Sequence, residues 1–264
     1  MKIGFIGMGN MAGAMIGGLV KNGLVAPQDI FGADISDALV ESRAEDYGIR
    51  TTGDNKEVVR EADYLVLAVK PQYAKEAIDG FKDVLREETV VISIMAGKSL
   101  EWLEEAIGRR QKLVRCMPNT AALVGEAITA AAPNALVSED ELKTSLEILG
   151  SFGRASVVPE KLMDAVVGVS GSSPAYVFMF IEAMADGAVE CGMPRAQAYE
   201  FAAQAVYGSA KLMLETGKHP GELKDMVSSP AGTTIAAVRV LEEKGFRGAV
   251  MNAVEAAAKR SSEL

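Results

Sequence analysis

The hydrophobic pattern changes character past the middle of the chain. Before about residue 160, short apolar runs alternate with longer stretches whose apolar residues recur every three or four positions. The runs Lys2–Ile6, Asp29–Asp34, Tyr64–Val69, Thr89–Ile94, Lys112–Met117, Ala127–Ala132 and Arg154–Pro159 predict strands. Several are continuously apolar, as in strands covered on both faces. Helix start signals lie between them: Ser36 before 37–47, Ser99 with Glu101 behind it, and Ser138 before 139–149. Strand–helix alternation predicts an α/β fold with a parallel, doubly wound sheet. After residue 160 the strand signals stop. Residues 173–191, 194–216, 220–228, 232–244 and 246–263 read as helices, with Pro174, Pro194, Pro220 and Pro230 at first turns and Gly192, Gly217 and Gly245 at ends. The expected organisation is a nucleotide-type domain over 1–160 and a helical domain over 161–264.

Composition narrows the function. At 264 residues, 49% hydrophobic and 24% charged, the chain is globular. Its formal charge of −9 argues against nucleic acid or an anionic membrane as the main partner. The glycines of the apolar N-terminal stretch (Gly4, Gly7, Gly9, Gly13, Gly17, Gly18) fit a strand and turn better than a signal peptide. No later run of 18 uncharged apolar residues occurs, so no membrane helix is expected and a cytoplasmic location follows. Cys116 and Cys191 sit in apolar runs and read as small buried hydrophobes. His219 is the only histidine and lies in a turn-like segment, so neither a Ser-His-Asp triad nor a metal site is expected.

The strongest chemical signal is Gly7-Met-Gly-Asn-Met-Ala12, a G-x-G-x-x-A placed directly after a strand and opening a helix. Gly7 permits the tight turn, Gly9 lets a pyrophosphate approach the backbone, and Ala12 allows close helix–strand packing. The candidate dinucleotide contacts are therefore Ile6, Gly7, Met8, Gly9, Asn10, Met11 and Ala12. Asp34, at the end of the second strand, can accept from a ribose 2′-hydroxyl and taken alone favours NAD(H) over NADP(H). Ala68, Val69, Lys70 and Pro71 end the next strong strand, at the edge where such sheets bind ligands. Ala96 and Gly97 are small enough to let a nicotinamide ring lie against the backbone. In the helical half, Ser228-Ser-Pro-Ala-Gly-Thr-Thr234 clusters hydroxyls before a helix, which suits an anion or an ordinary N-cap equally.

Five segments together are more specific than the glycine motif. Gly7-x-Gly-x-x-Ala12, Ala68-Val-Lys-Pro71, Arg115-Cys-Met-Pro-Asn-Thr120, Val169-Ser-Gly-Ser-Ser-Pro-Ala175 and Ser229-Pro-Ala-Gly-Thr-Thr-Ile235 resemble, in order and spacing, the pyrroline-5-carboxylate reductase family. The resemblance covers essentially the whole chain. It implies a Rossmann-type sheet followed by an all-helical dimerisation domain. It also implies NAD(P)H reduction of the cyclic imine 1-pyrroline-5-carboxylate to L-proline, the last step of proline synthesis. NADP(H) would be the commoner cofactor, and the homodimer could assemble into a ring such as a decamer. By resemblance Ser229, Gly232 and Thr233 hold the substrate carboxylate, and Thr234 faces the imine nitrogen as the catalytic residue. Two alternatives stand beside this reading. A β-hydroxyacid-dehydrogenase-like oxidoreductase needs a catalytic lysine in the helical domain; Lys211, Lys218 and Lys224 lack that flanking pattern. A non-enzymatic NAD(P)H sensor has no use for a second, hydroxyl-rich pocket.

Overall fold

The computed structural model describes residues 1–263. One eight-stranded sheet carries the first part of the chain. Its strands are β1 (Ile3–Ile6), β2 (Ile30–Ala33), β3 (Arg50–Thr52), β4 (Tyr64–Leu67), β5 (Val90–Ser93), β6 (Lys112–Met117), β7 (Ala127–Pro133) and β8 (Gly153–Val157). They lie in the order β3-β2-β1-β4-β5-β6-β7-β8. Helices α1 (Asn10–Lys21), α2 (Asp37–Tyr47), α3 (Asn55–Glu61), α4 (Ala74–Phe81), α5 (Leu100–Ile107) and α6 (Glu139–Gly150) alternate with the strands. Strands β1, β2, β4 and β5 are buried at every position, because apolar clusters cover both faces of the sheet. Phe5, Met15, Ile16 and Leu19 belong to one cluster, and Leu65, Ile78, Phe81 and Leu103 to the other.

Caps fix the helix starts. Ser99 accepts from the Trp102 N–H, and Ser138 forms a full capping box with Glu141. Two features depart from the expected sheet. Strand β3 is additional: Arg50, Thr51 and Thr52 carry no apolar pattern and are strand only because β2 lies beside them. Strand β7 runs antiparallel to β6, within an otherwise parallel sheet. Only residues 118–126 link β6 to β7, too few for the crossover that a parallel pair needs.

A short helix, α7 (Met163–Val166), and a wide π-type turn over Val167–Gly171 lead out of the sheet region. Then follow α8 (Ser173–Glu190), α9 (Arg195–Thr216), α10 (Pro220–Met226), α11 (Thr233–Glu243) and α12 (Phe246–Ser262). The chain divides into two compact units: Met1–Gly171 with the end of the chain from Ala257, and Ser172–Ala256. The change of pattern near residue 160 precedes this division, since Met163 is buried against Ala130 and Ala132 of β7. Ser261 of α12 donates to Asp164 in the same unit.

The helical unit leaves much apolar surface open. Ala185 is the only buried residue of α8, and α11 has none. Phe178, Met179, Phe201 and Met251 are each more than 60% exposed. Cys191, expected inside, is exposed, because the apolar run before it belongs to this uncovered helix. Cys116 is buried as expected, and burial pushes its thiol pKa far up, so it is no nucleophile.

Candidate active site

The glycine loop is assembled by three strand ends. Gly7 has a φ of +88°, and its N–H donates to Ala33 O at 2.8 Å. A Cβ on Gly7 would sit 2.8 Å from Ala68 O, so the turn admits only glycine. The Ala68 N–H donates to Ile6 O at 2.8 Å, which sets the end of β4 beside the end of β1. Ile6, Met8 and Ala12 are buried, and Met11 is partly so. The Met8 side chain fills the space over Gly32, where a Cβ would lie 2.2 Å from its sulfur. Met8 can therefore meet a ligand only through its backbone, while Asn10 is exposed at the helix start.

Gly9 differs from Gly7. It is the N-cap of α1, with φ −64° and ψ −170°, a conformation open to any residue. A Cβ built on it meets no atom within 4 Å. The fold favours glycine here only as an N-cap, a position that Ser, Asp or Asn would fill as well. No side chain caps α1, and its first N–H groups are left without helical partners, open to an anion.

Asp34 is held in place. One carboxylate oxygen accepts from the Met8 N–H at 2.7 Å and the other from the Ser36 N–H at 3.0 Å. The sequence shows the carboxylate at the strand end but not that it braces the glycine loop. Arg43, which the sequence offers only as a cation far along α2, is also brought in: its Nε donates to Met8 O at 3.1 Å. At the neighbouring strand ends, Val69 is half-buried and Lys70 is exposed, with no side-chain partner among the described residues. Pro71 starts a 3-10 turn, Ala96 is exposed, and Gly97 has a φ of +72°.

Two further motifs meet at the end of β6. Asn119 Nδ2 donates to Ser170 O at 3.1 Å, joining Arg115–Thr120 to the π-type turn. Glu160, which no motif marks, accepts from Arg115 at 3.0 Å and from the Leu100 N–H at 2.8 Å. It ties β6 to the start of α5.

The other candidates lie in the helical unit. Gly232 is the N-cap of α11, and Thr233 and Thr234 open the helix. Gly232 closes against Ser229, whose Oγ would be 2.4 Å from a Cβ there. Between them Ala231 has a φ of +56°, the one non-glycine residue at positive φ among the described residues. Such strain costs on the order of 1 kcal/mol and gathers at functional loops. The hydroxyls of Ser209, Thr216 and Ser228 bond back to carbonyls four residues earlier. Those of Ser229, Thr233 and Thr234 make no bond to the protein among the described residues and are not buried, which leaves them free for a ligand. No group of three or more His, Cys, Asp or Glu side chains suited to a metal occurs among the described residues.

A glycine loop of this geometry on a doubly wound sheet, followed by a helical unit with a hydroxyl-rich helix start, defines a two-domain dinucleotide-dependent oxidoreductase. Comparison narrows the class. Residues 160–264 match the family model for pyrroline-5-carboxylate reductase dimerisation, and residues 2–97 match one described as NADP oxidoreductase coenzyme F420-dependent. The chain is 52% identical to the pyrroline-5-carboxylate reductase of Escherichia coli K12 over 263 residues, covering 100% of this chain and 98% of the relative. A Coxiella burnetii pyrroline-5-carboxylate reductase structure superposes with a TM-score of 0.95 at 34% identity, over 99% of this chain and 97% of that one. The Plasmodium falciparum pyrroline carboxylate reductase, solved with NADP bound, gives 0.89 at 32% identity, over 100% and 97%. The chain belongs to the pyrroline-5-carboxylate reductase family.

One stretch, Glu160–Glu190, is long and apolar enough by length and composition to cross a membrane, although it contains no 18-residue run that is wholly apolar. It lies inside the match to the dimerisation model.

Proposed function

We propose that the protein reduces 1-pyrroline-5-carboxylate to L-proline with NADPH, and accepts NADH. The observation that carries the reading is the 52% identity to the Escherichia coli reductase, which runs through both units. When bound, the nicotinamide cofactor supplies the hydride that adds to the imine carbon. Gly9 and the N–H groups of Asn10, Met11 and Ala12 hold its diphosphate, Asp34 lies at its ribose, and Ala68–Pro71 with Ala96 and Gly97 line the approach to its ring. Ser229, Gly232 and Thr233 hold the substrate carboxylate through hydroxyls and helix-start N–H groups. The Thr234 hydroxyl donates to the ring nitrogen as the C=N π bond becomes a nitrogen lone pair. A protonated imine is already electrophilic, so positioning accounts for most of the catalysis and no strong side-chain acid is needed. Initial rates with pyrroline-5-carboxylate and each cofactor separately test this. Absence of turnover at millimolar substrate would sink it and favour a sensor, whereas turnover of hydroxyacids alone would favour a β-hydroxyacid dehydrogenase.

Asp34→Ser removes a negative charge where a 2′-phosphate would lie. It is expected to raise the kcat/KM ratio of NADPH to NADH roughly tenfold. An unchanged ratio would show that Asp34 serves only to brace Met8 and Ser36.

The reading includes a cytoplasmic location, no nucleic-acid partner and a homodimer built on the helical unit, which can assemble further into a ring such as a decamer. The exposed apolar surface of α8, α9 and α12 supports the dimer, with a cavity of about 510 Å³ lined by Tyr176, Met179, Phe180, Leu241 and Phe246. Glu160–Glu190 then lies against protein rather than lipid. Sedimentation at micromolar concentration is expected to give a dimer or a multiple of it; a well-behaved monomer would refute this.

A further inference from the structure

Met8 is gripped from both ends of its backbone by opposite charges. Its N–H donates to Asp34 at 2.7 Å, and its carbonyl accepts from Arg43 Nε at 3.1 Å. Both contacts end on one residue, so carboxylate and guanidinium are no more than roughly 9 Å apart. They form no direct ion pair. The Arg43 side chain is fitted rather than loose. It lies against Gly13, where a Cβ would come within 3.0 Å of its Cζ, and over the Tyr47 ring at 5.9 Å. Its outer partner is Asp46 at 3.5 Å, whose side chain is 55% exposed, so this pair holds it weakly. A guanidinium carries five N–H donors. Only two of Arg43's contacts are to protein acceptors, and none of its nitrogens is buried without a partner. The side chain as a whole is only 15% exposed, but its Nη2 has no protein acceptor among the described residues and is not fully enclosed.

In this fold the carboxylate at the end of β2 marks where the adenosine ribose 2′-oxygen lies. Residues 35–42 contain no cation that could answer a phosphate there. Arg50 and Lys2 do not serve, because both stack on Phe31, further back along β2. We propose that Arg43 receives the 2′-phosphate of NADP(H) and so sets the cofactor specificity of a site that Asp34 alone would reserve for NAD(H). The guanidinium presents unpaired donors of opposite charge to a phosphate dianion, and charge-assisted bonds of this kind offset the repulsion from Asp34. The inference rests on the reading above that the loop holds a nicotinamide dinucleotide.

The test uses equilibrium binding of two fragments to the full-length protein, adenosine 2′,5′-bisphosphate and 5′-AMP, which differ only in the 2′-phosphate. Arg43→Gln keeps an N–H for the Met8 carbonyl and removes the charge. It is expected to weaken the bisphosphate about tenfold or more while changing 5′-AMP by less than about threefold. Arg43→Lys keeps a charge without the planar fork and is expected to fall between. Thermal melts of both variants show whether they fold. Equal weakening of the two fragments would make Arg43 a brace of the loop and nothing more, and parental affinity for the bisphosphate would overturn the proposal outright. If the unmodified protein bound neither fragment, the dinucleotide reading itself would fall, and this inference with it.

Discussion

Gly9→Val is expected to fold normally and to lose NADPH, with the dissociation constant rising about 100-fold or more. The two halves of that expectation have separate causes. The backbone at Gly9, φ −64° and ψ −170°, suits a β-branched residue, and the first added carbon meets nothing within 4 Å. The change in stability is limited to a poorer N-cap, on the order of 1 kcal/mol or less, or a few degrees in Tm. In the proposed cofactor site the added isopropyl group stands where the diphosphate would come against the N–H groups of Asn10, Met11 and Ala12. Charge-assisted hydrogen bonds contribute about 1.5–3 kcal/mol each. Losing one or two therefore accounts for a 100-fold effect, at about 1.4 kcal/mol per tenfold. Fluorescence titration of NADPH alongside a thermal melt measures both halves. A folded variant with parental affinity would mean that the cofactor does not approach this loop.

Thr234→Val is expected to lower kcat/KM with pyrroline-5-carboxylate by roughly 10- to 100-fold. It should leave NADPH affinity nearly unchanged. Thr234 is the second residue of α11 and is half-buried. Its hydroxyl makes no bond to the protein among the described residues, so valine removes nothing the helix is seen to use and keeps the β-branched shape. A neutral hydrogen bond contributes about 0.5–1.5 kcal/mol, and more where charge develops in a site closed to water. The top of the neutral range gives the tenfold end of the expected loss, and the 100-fold end needs about 2.8 kcal/mol, at about 1.4 kcal/mol per tenfold. Steady-state kinetics on a variant of normal Tm decide the matter. Parental kcat/KM would reduce Thr234 to a helix-start residue, and complete loss would show that it does more than donate one hydrogen bond.

The features legible in the amino-acid sequence are local in origin. The buried strands β1, β2, β4 and β5 were legible as apolar runs, since a strand covered on both faces has no polar side to show. The helix starts at Ser99 and Ser138 were legible because a cap is made by residues three apart. The glycine loop and the hydroxyl-rich start of α11 are contiguous segments, so both were visible before any fold was known; the roles proposed for the second came only with the family resemblance. Tertiary structure decided whatever depends on residues distant in the chain. Strand β3 exists because β2 offers it a ladder, not because Arg50–Thr52 favour a strand. Cys191 is exposed because an apolar helix needs a neighbour to be buried, and α8 finds too little cover within its own unit. Gly7 and Gly9 look alike as letters. Only the position of Ala68 O distinguishes the glycine that the turn requires from the N-cap glycine whose place has room for a side chain. Asp34 and Arg43 lie nine positions apart, on a strand end and within a helix. Their meeting at the two ends of the Met8 backbone follows from the packing of α2 beside the start of α1, which no spacing rule records.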